Sequence, residues 1–387
     1  MNINLEHLQA HETPFYYYDT QVLRTTLAAL NAACAGEAHI HPHYAVKANA
    51  RPELLRIIAG EGLGADCVSG GEIRAALDAG FPAGSIVFAG VGKADWELRL
   101  ALQAGIGMFN VESLPELERI SELAVEAGVT ARVALRINPN VDAHTHEKIT
   151  TGLNENKFGL AMEDMVPAVR MVESLPNVSY EGLHFHIGSS ILDLSVFARL
   201  CERINELQDV LEREGIVTRN INVGGGLGTH YEDPDVHPIP DFIGYLDTFR
   251  KYLRLRPGQQ LHIEPGRSIV AQCGMLVSRV LYVKAGHEKQ FLILDAGFTD
   301  LIRPALYNAH HLIQNLSAQG AEATEHYDVV GPICESSDVF QTAAPLPPSK
   351  RGDLIAFRTA GAYGEIMASQ YNLRRLPGAV FNGLLKS

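Results

Sequence analysis

Cysteine is scarce in this chain and follows no pairing pattern: Cys34, Cys67, Cys201, Cys273 and Cys334 are scattered over 387 residues. An odd, widely spaced set does not read as a disulfide framework. No pair has metal-ligand spacing either, so a reducing cytoplasm is the expected home. Long apolar runs are also missing. No stretch of 18 apolar residues occurs and no basic start is followed by an apolar run, so neither a membrane span nor a signal segment is expected. Positive charge is in deficit, with 32 Lys and Arg against 45 Asp and Glu and a formal net charge of −13. That balance argues against nucleic acid or an anionic membrane as partner. It leaves room for a phosphorylated small molecule, which needs only a local pocket of donors. The composition that remains, 46% hydrophobic and 20% charged, is that of a globular protein too long for one ordinary core.

From residue 43 onward, strand and helix patterns alternate. Strands are expected at 43–47, 64–68, 86–89, 107–111, 132–137, 180–186, 221–224 and 260–263, with helical patterns at 53–61, 72–79, 96–104, 116–127, 162–174, 196–214 and 242–255. Eight such units over about 220–240 residues match the size of a (β/α)₈ barrel of the TIM type better than an open doubly wound sheet. After about residue 271 the texture becomes β-branched and aromatic, as at 275–284, 290–295, 327–330 and 354–358. The expected α/β architecture is therefore a barrel over residues 23–271. A mostly β C-terminal domain, sandwich- or barrel-like, spans 272–387 and is completed by the β-rich opening, 1–22.

In a barrel, chemistry sits at the C-terminal ends of the strands. Unusual residues recur there: Lys47 after the first strand, Asp66 in the second, Arg136 and Asn138 at the fifth, His184 and His186 at the sixth. Gly224-Gly225-Gly226 ends the seventh and Glu264-Pro265-Gly266-Arg267 ends the eighth. A lysine at the mouth of a buried strand is costly as a cation. It escapes by losing its proton or by condensing with an aldehyde, as pyridoxal phosphate lysines do; an exposed strand-end lysine is the plain alternative. The glycines permit backbone N–H groups to wrap an anion, or simply make a tight turn. Arg267 and a serine of Ser189-Ser190 can add donors to the same phosphate. His184 and His186 face one side of a strand, but no third residue has suitable spacing, so no metal is expected. Stacking on a cofactor ring suits His186 better, and a backbone-bonded core position suits His184. A carboxylate such as Glu264 placed against a pyridine nitrogen keeps it protonated and makes the ring a strong electron sink, which suits decarboxylation.

The chain resembles the pyridoxal phosphate-dependent decarboxylases built from an alanine-racemase-like barrel and a β domain, and within them the diaminopimelate decarboxylases. The likeness runs from Phe15 to about Asn372. Its motifs are YAVKAN (44–49), GADCVSGGE (64–72), RINPNVDAHTHEKITTG (136–152) with KFG (157–159), HFHIGSS (184–190), VGGGLG (223–228), EPGRSIV (264–270), DAGFTDLIRPALYNAHH (295–311), CESSD (334–338) and GAYG (361–364). The resemblance implies that Lys47 carries pyridoxal 5'-phosphate covalently, with His186 on its ring and Glu264 at its nitrogen. Asp66 joins the cofactor residues, and Ser189, Gly225, Gly226, Gly266 and Arg267 serve the phosphate. Tyr363 would lie near cofactor and substrate. Cys334 would protonate the substrate carbon, reaching in from the second subunit of a homodimer. Arg267, Arg303, Tyr307, Glu335 and Tyr363 would bind substrate. Two departures from the family pattern occur, Ser189-Ser190 in place of Ser-Gln and Arg374-Arg375-Leu376-Pro377 in place of Arg-Pro-Arg-Pro.

The substrate can be argued separately. Diaminopimelate carries an amino acid at each end, so its far end requires an arginine and an acid together, and Arg303 with Glu335 meets that need. Ornithine or arginine would need acids alone, and Arg303 would repel a cationic tail. The reading is decarboxylation of meso-2,6-diaminopimelate to L-lysine and CO₂, the last step of lysine synthesis. A decarboxylase of a basic amino acid and a catalytically inactive regulatory relative are the alternatives.

Overall fold

A computed structural model describes residues 4–141 and 157–382. The motif piece at 142–152 lies outside the described residues. Eight parallel strands close on themselves: β2 (Ile40–Ala45), β3 (Gly64–Cys67), β4 (Ile86–Phe88), β5 (Met108–Val111), β6 (Ala131–Arg136), β7 (Val178–His184), β8 (Asn220–Asn222) and β9 (Gln260–Ile263). Closure is made by β2 against β9, with Ile40 opposite Leu261 and Pro42 opposite Ile263. Each expected barrel strand is present, with ends shifted by no more than three residues. The barrel expectation is borne out.

The intervening helices are set by local chemistry. In α4 (Gly70–Ala79) and α6 (Leu114–Ala127), Ser69 and Ser113 accept from the N–H of Glu72 and Glu116. Those glutamates in turn accept from the N–H of Val68 and Glu112. These reciprocal caps satisfy donors that the first helical turn leaves open. Left-handed Gly80 and Gly128 end the same helices. Two helices that the hydrophobic pattern does not single out, α1 (Leu5–Gln9) and α2 (Thr20–Ala33), flank strand β1 (Phe15–Asp19).

Two compact units emerge: residues 27–228 with 241–267, which hold the barrel, and residues 1–26, 229–240 and 268–387. In the second unit, β1 pairs antiparallel with β10 (Gly274–Ala285) and parallel with β16 (Gly378–Asn382). The remaining path runs β12 (Ile313–Asn315), β15 (Leu354–Phe357), β10, β11 (Gln290–Leu294), β13 (Glu325–Val330) and β14 (Val339–Leu346). Leu8, Phe15, Tyr17, Met275, Val277, Leu316, Leu354 and Ala356 form a buried core on this sheet. Phe15, Tyr17, Met275 and Val277 alternate along their strands, as one buried sheet face requires. No helix among the described residues is long and apolar enough to cross a membrane.

Candidate active site

Strand β2 ends at Ala45, and Lys47 stands in the single 3₁₀ turn Val46–Ala48 that follows it. Its side chain is 35% exposed, so the amine is at the barrel rim and not sealed in its core. Lys47 Nζ donates to Asp66 Oδ2 at 2.8 Å, and Asp66 is fully buried on β3. Burial, together with the nearby Glu264 charge, raises the Asp66 carboxyl above its ordinary value against the pull of Lys47. Gly266, after β9, packs against this turn. A Cβ there would lie 2.9 Å from Ala45 Cβ and 3.1 Å from that of Ala48, so only glycine lets the two strand ends approach.

Glu264 follows β9 and is 5% exposed. Its Oε1 accepts from Asn222 Nδ2 at 2.7 Å and from Asn110 Nδ2 at 3.3 Å, and His184 Nε2 lies 3.1 Å from Oε2. Burial alone would raise this carboxyl. The charge and hydrogen bond of His184, then the charge of Lys47, outweigh it and hold Glu264 well below the usual carboxylate range. Asn222 cannot turn its amide around, because its Oδ1 already accepts from the N–H of Gly224 at 2.9 Å. One amide thus ties the glycine turn to the acid. Asn110, Asn222 and the His184–Glu264 contact are absent from the sequence reading, where His184 figured as a core histidine.

His186 lies two residues past the end of β7. Its Nδ1 accepts from the N–H of Gly225 at 3.3 Å, and burial, with the charges of Arg136 and Lys47, pushes its pKa far down, so the ring is neutral. Gly225 itself packs on Glu264, where a Cβ would lie 2.3 Å from the Glu264 carbonyl oxygen. Gly226 is left-handed at φ 114° and accepts from the N–H of Ile191. Arg267 donates to Ser189 Oγ through Nε at 3.2 Å and Nη2 at 3.1 Å. The barrel therefore brings together Lys47, Asp66, His186, Ser189, Gly225, Gly226, Glu264, Gly266 and Arg267. A buried ion pair adjoins them, with Arg136 Nη1 2.9 Å from Glu112 Oε1.

The other expected residues belong to the second unit. Arg303 opens helix α11 (Arg303–Tyr307), is 5% exposed, lies over the Tyr231 ring at 4.8 Å and donates from Nη1 to His311 Nε2 at 2.9 Å. Tyr307 ends that helix, half-buried. Cys334 and Glu335 are exposed in a turn that Asp338 closes by accepting from the N–H groups of Phe298 and Ile333. The Cys334 N–H donates to Asn372 Oδ1 at 3.0 Å. Tyr363 holds a left-handed backbone at φ 55°, a conformation that costs a bulky residue on the order of 1 kcal/mol or more.

The barrel residues fit pyridoxal phosphate. An amine for its aldehyde, an ionised acid for its ring nitrogen, a neutral imidazole, and a glycine turn with serine and arginine for its phosphate are all present. Among the described residues, the buried Asp66 Oδ1, Asn110 Oδ1 and His184 Nδ1 have no hydrogen-bond partner, an arrangement that the chain does not complete by itself. Residues 21–271 match the pyridoxal-binding domain of the pyridoxal-dependent decarboxylases. A diaminopimelate decarboxylase of Bacteroides thetaiotaomicron is 61% identical over 95% of this chain and 94% of its own. The crystal structure of the Helicobacter pylori diaminopimelate decarboxylase complexed with L-lysine is similar at a TM-score of 0.89 and 40% identity, over 98% of this chain and 94% of that one. That of the M. jannaschii diaminopimelate decarboxylase, in co-complex with L-lysine, gives 0.89 and 36% over 97% and 88%. This chain belongs to the pyridoxal-dependent decarboxylases and, within them, to the diaminopimelate decarboxylase family.

Proposed function

We propose that this protein converts meso-2,6-diaminopimelate to L-lysine and CO₂, with pyridoxal 5'-phosphate attached at Lys47. The observation that carries the reaction type is Glu264, a buried carboxylate kept ionised by His184 and two amides. Pyridoxal phosphate, when bound, supplies an electron-poor ring that accepts the electron pair left when a carboxylate departs from Cα. Glu264 sharpens that demand by favouring a protonated ring nitrogen. Lys47 binds the cofactor, and Asp66 at 2.8 Å orients the amine and exchanges a proton with it. His186 offers a neutral flat face, while Ser189, Gly225, Gly226, Gly266 and Arg267 hold the phosphate.

The overall reaction consumes one proton, and in this reading the Cys334 thiol delivers it to Cα. Arg303 pairs with the far carboxylate, Glu335 with the far ammonium, and Tyr307, Tyr363 and Arg267 complete substrate binding. Apart from Tyr363, which also lies near the cofactor, the cofactor residues thus fall in 23–271, and the far-end residues fall in 272–387. A second copy of the chain supplies Cys334, which makes the working form a homodimer, and the unpaired cysteine set suits a reducing cytoplasm.

The test is lysine formation from meso-diaminopimelate, measured beside ornithine and arginine. Turnover of diaminopimelate alone is expected, and faster turnover of ornithine or arginine would overturn the substrate assignment. Sharing of the site is tested by mixing Lys47→Ala and Cys334→Ala chains under subunit exchange. Random pairing puts one intact site in half the dimers and recovers about a quarter of parent activity. No recovery, with exchange confirmed, would refute a site built from two chains.

A further inference from the structure

We propose that His230, Asp233 and His237 form a binding site for a divalent transition-metal ion, separate from the residues assigned to catalysis. One ligand atom from each of these three residues falls within a 4.8 Å span. His230 Nδ1 is 3.8 Å from Asp233 Oδ1, and His237 Nε2 is 3.7 Å from Asp233 Oδ2. Four ligands held tetrahedrally at 2.0–2.1 Å stand about 3.3 Å apart. The two Asp–His separations exceed that spacing by about half an ångström and no pair of ligand atoms is more than 4.8 Å apart, so the half-exposed side chains draw together to close on an ion.

The backbone beneath them is already set. The N–H groups of Val236 and His237 both donate to the Asp233 carbonyl, a turn that brings His237 back toward Asp233. The His237 carbonyl accepts from Gln272 Nε2 at 2.5 Å, and Asp235 accepts from Arg358 Nη2 at 2.7 Å. The C-terminal part of the segment is therefore held by residues outside the ligand set.

A plain ion pair does not account for the arrangement as well. The two imidazoles stack at 4.1 Å with planes 26° apart, on the same carboxylate. Two imidazolium rings so placed would repel each other, whereas one cation bound by two neutral rings and a carboxylate satisfies all three. Two imidazoles and one carboxylate suit Zn²⁺ or Co²⁺ and leave a position for water. The site also brackets Tyr231, whose ring lies under Arg303, so an ion there would stiffen the platform of that guanidinium.

The test titrates untagged holoenzyme, free of excess cofactor and substrate, with Zn²⁺ by calorimetry and with Co²⁺ by its visible d–d absorption. One equivalent is expected to bind. His237→Gln and Asp233→Asn, both at half-exposed positions, should each weaken binding by about tenfold or more. Cys334→Ala should leave it unchanged, which separates this site from a metal captured by the exposed thiol. Absence of saturable binding overturns the proposal, as does binding that survives both loop substitutions or is lost with Cys334.

Discussion

Within the barrel strands, His43 Nδ1 lies 3.0 Å from the Ser85 carbonyl and its Nε2 lies 2.9 Å from His262 Nδ1. His262 Nε2 in turn lies 2.9 Å from Asn220 Oδ1, and Asn220 Nδ2 donates to the Glu181 carbonyl. Two residues further along the chain from Asn220 and His262 stand Asn222 and Glu264, the start of the cofactor cluster. Both groups are polar and buried within one barrel. In the histidine group each side-chain nitrogen and oxygen named has a neighbour in the chain. Burial then pushes His43 down to about 4 and His262 further still, so both rings stay neutral. In the cofactor group Glu264 keeps its charge, and Asp66 Oδ1, Asn110 Oδ1 and His184 Nδ1 have no hydrogen-bond partner among the described residues. Polarity inside a barrel therefore does not mark function by itself. Retained charge does, as at Glu264.

The largest expected effect breaks this comparison at Glu264. Glu264→Gln keeps size and loses charge, so kcat should fall by two orders of magnitude or more, about 3 kcal/mol of barrier, with thermal stability nearly kept. Parent-like turnover would show that the retained charge is not used.

The histidine group should respond to pH instead. His43 takes its proton near 6.5 when unfolded and near 4 when folded, so the unfolded chain binds more protons between these values. Stability from this group is full above pH 6.5 and falls as pH drops toward 4, by up to about 3 kcal/mol. Denaturation across pH 4–7 should show a shallower slope in His43→Gln. The three contacts from Ser85 to Asn220 need three protons, and two neutral rings carry two. A stability that rises as pH falls would mean that the pair takes up the third proton, contradicting the neutral reading.

The smallest effects come from two asparagines on one strand. Asn222→Ala should lower kcat about tenfold, near 1.4 kcal/mol, because it frees both Glu264 and the Gly224 turn. Asn220→Ala should lower the melting temperature and leave kcat within about twofold, since it touches only the histidine group. Equal rate losses would erase the distinction.

Much of this was legible in the chain. Lys47, Glu264 and the glycine turn stand out because each ends a strand pattern with a residue that strand interiors avoid. Asn110 and Asn222 do not, because each sits within a short strand next to apolar residues and resembles an ordinary pleat position. Their role appears only when the barrel closes, bringing partners 154 and 42 positions apart in sequence into hydrogen-bonding distance of one carboxylate. The segment Thr229–Pro240 carries no pattern assigning it to the β unit, and its His230, Asp233 and His237 converge through a turn that spacing alone does not reveal. Helix α2 was hidden for another reason, since it begins directly at the end of a strand rich in tyrosine.

Reduction of the holoenzyme with borohydride, followed by peptide mapping, tests the central claim most directly. It should fix one pyridoxyl group per chain on the peptide containing Lys47, the amine beside Asp66 at the end of β2. A label on another lysine, such as the buried Lys93 paired with Glu116, would contradict the account.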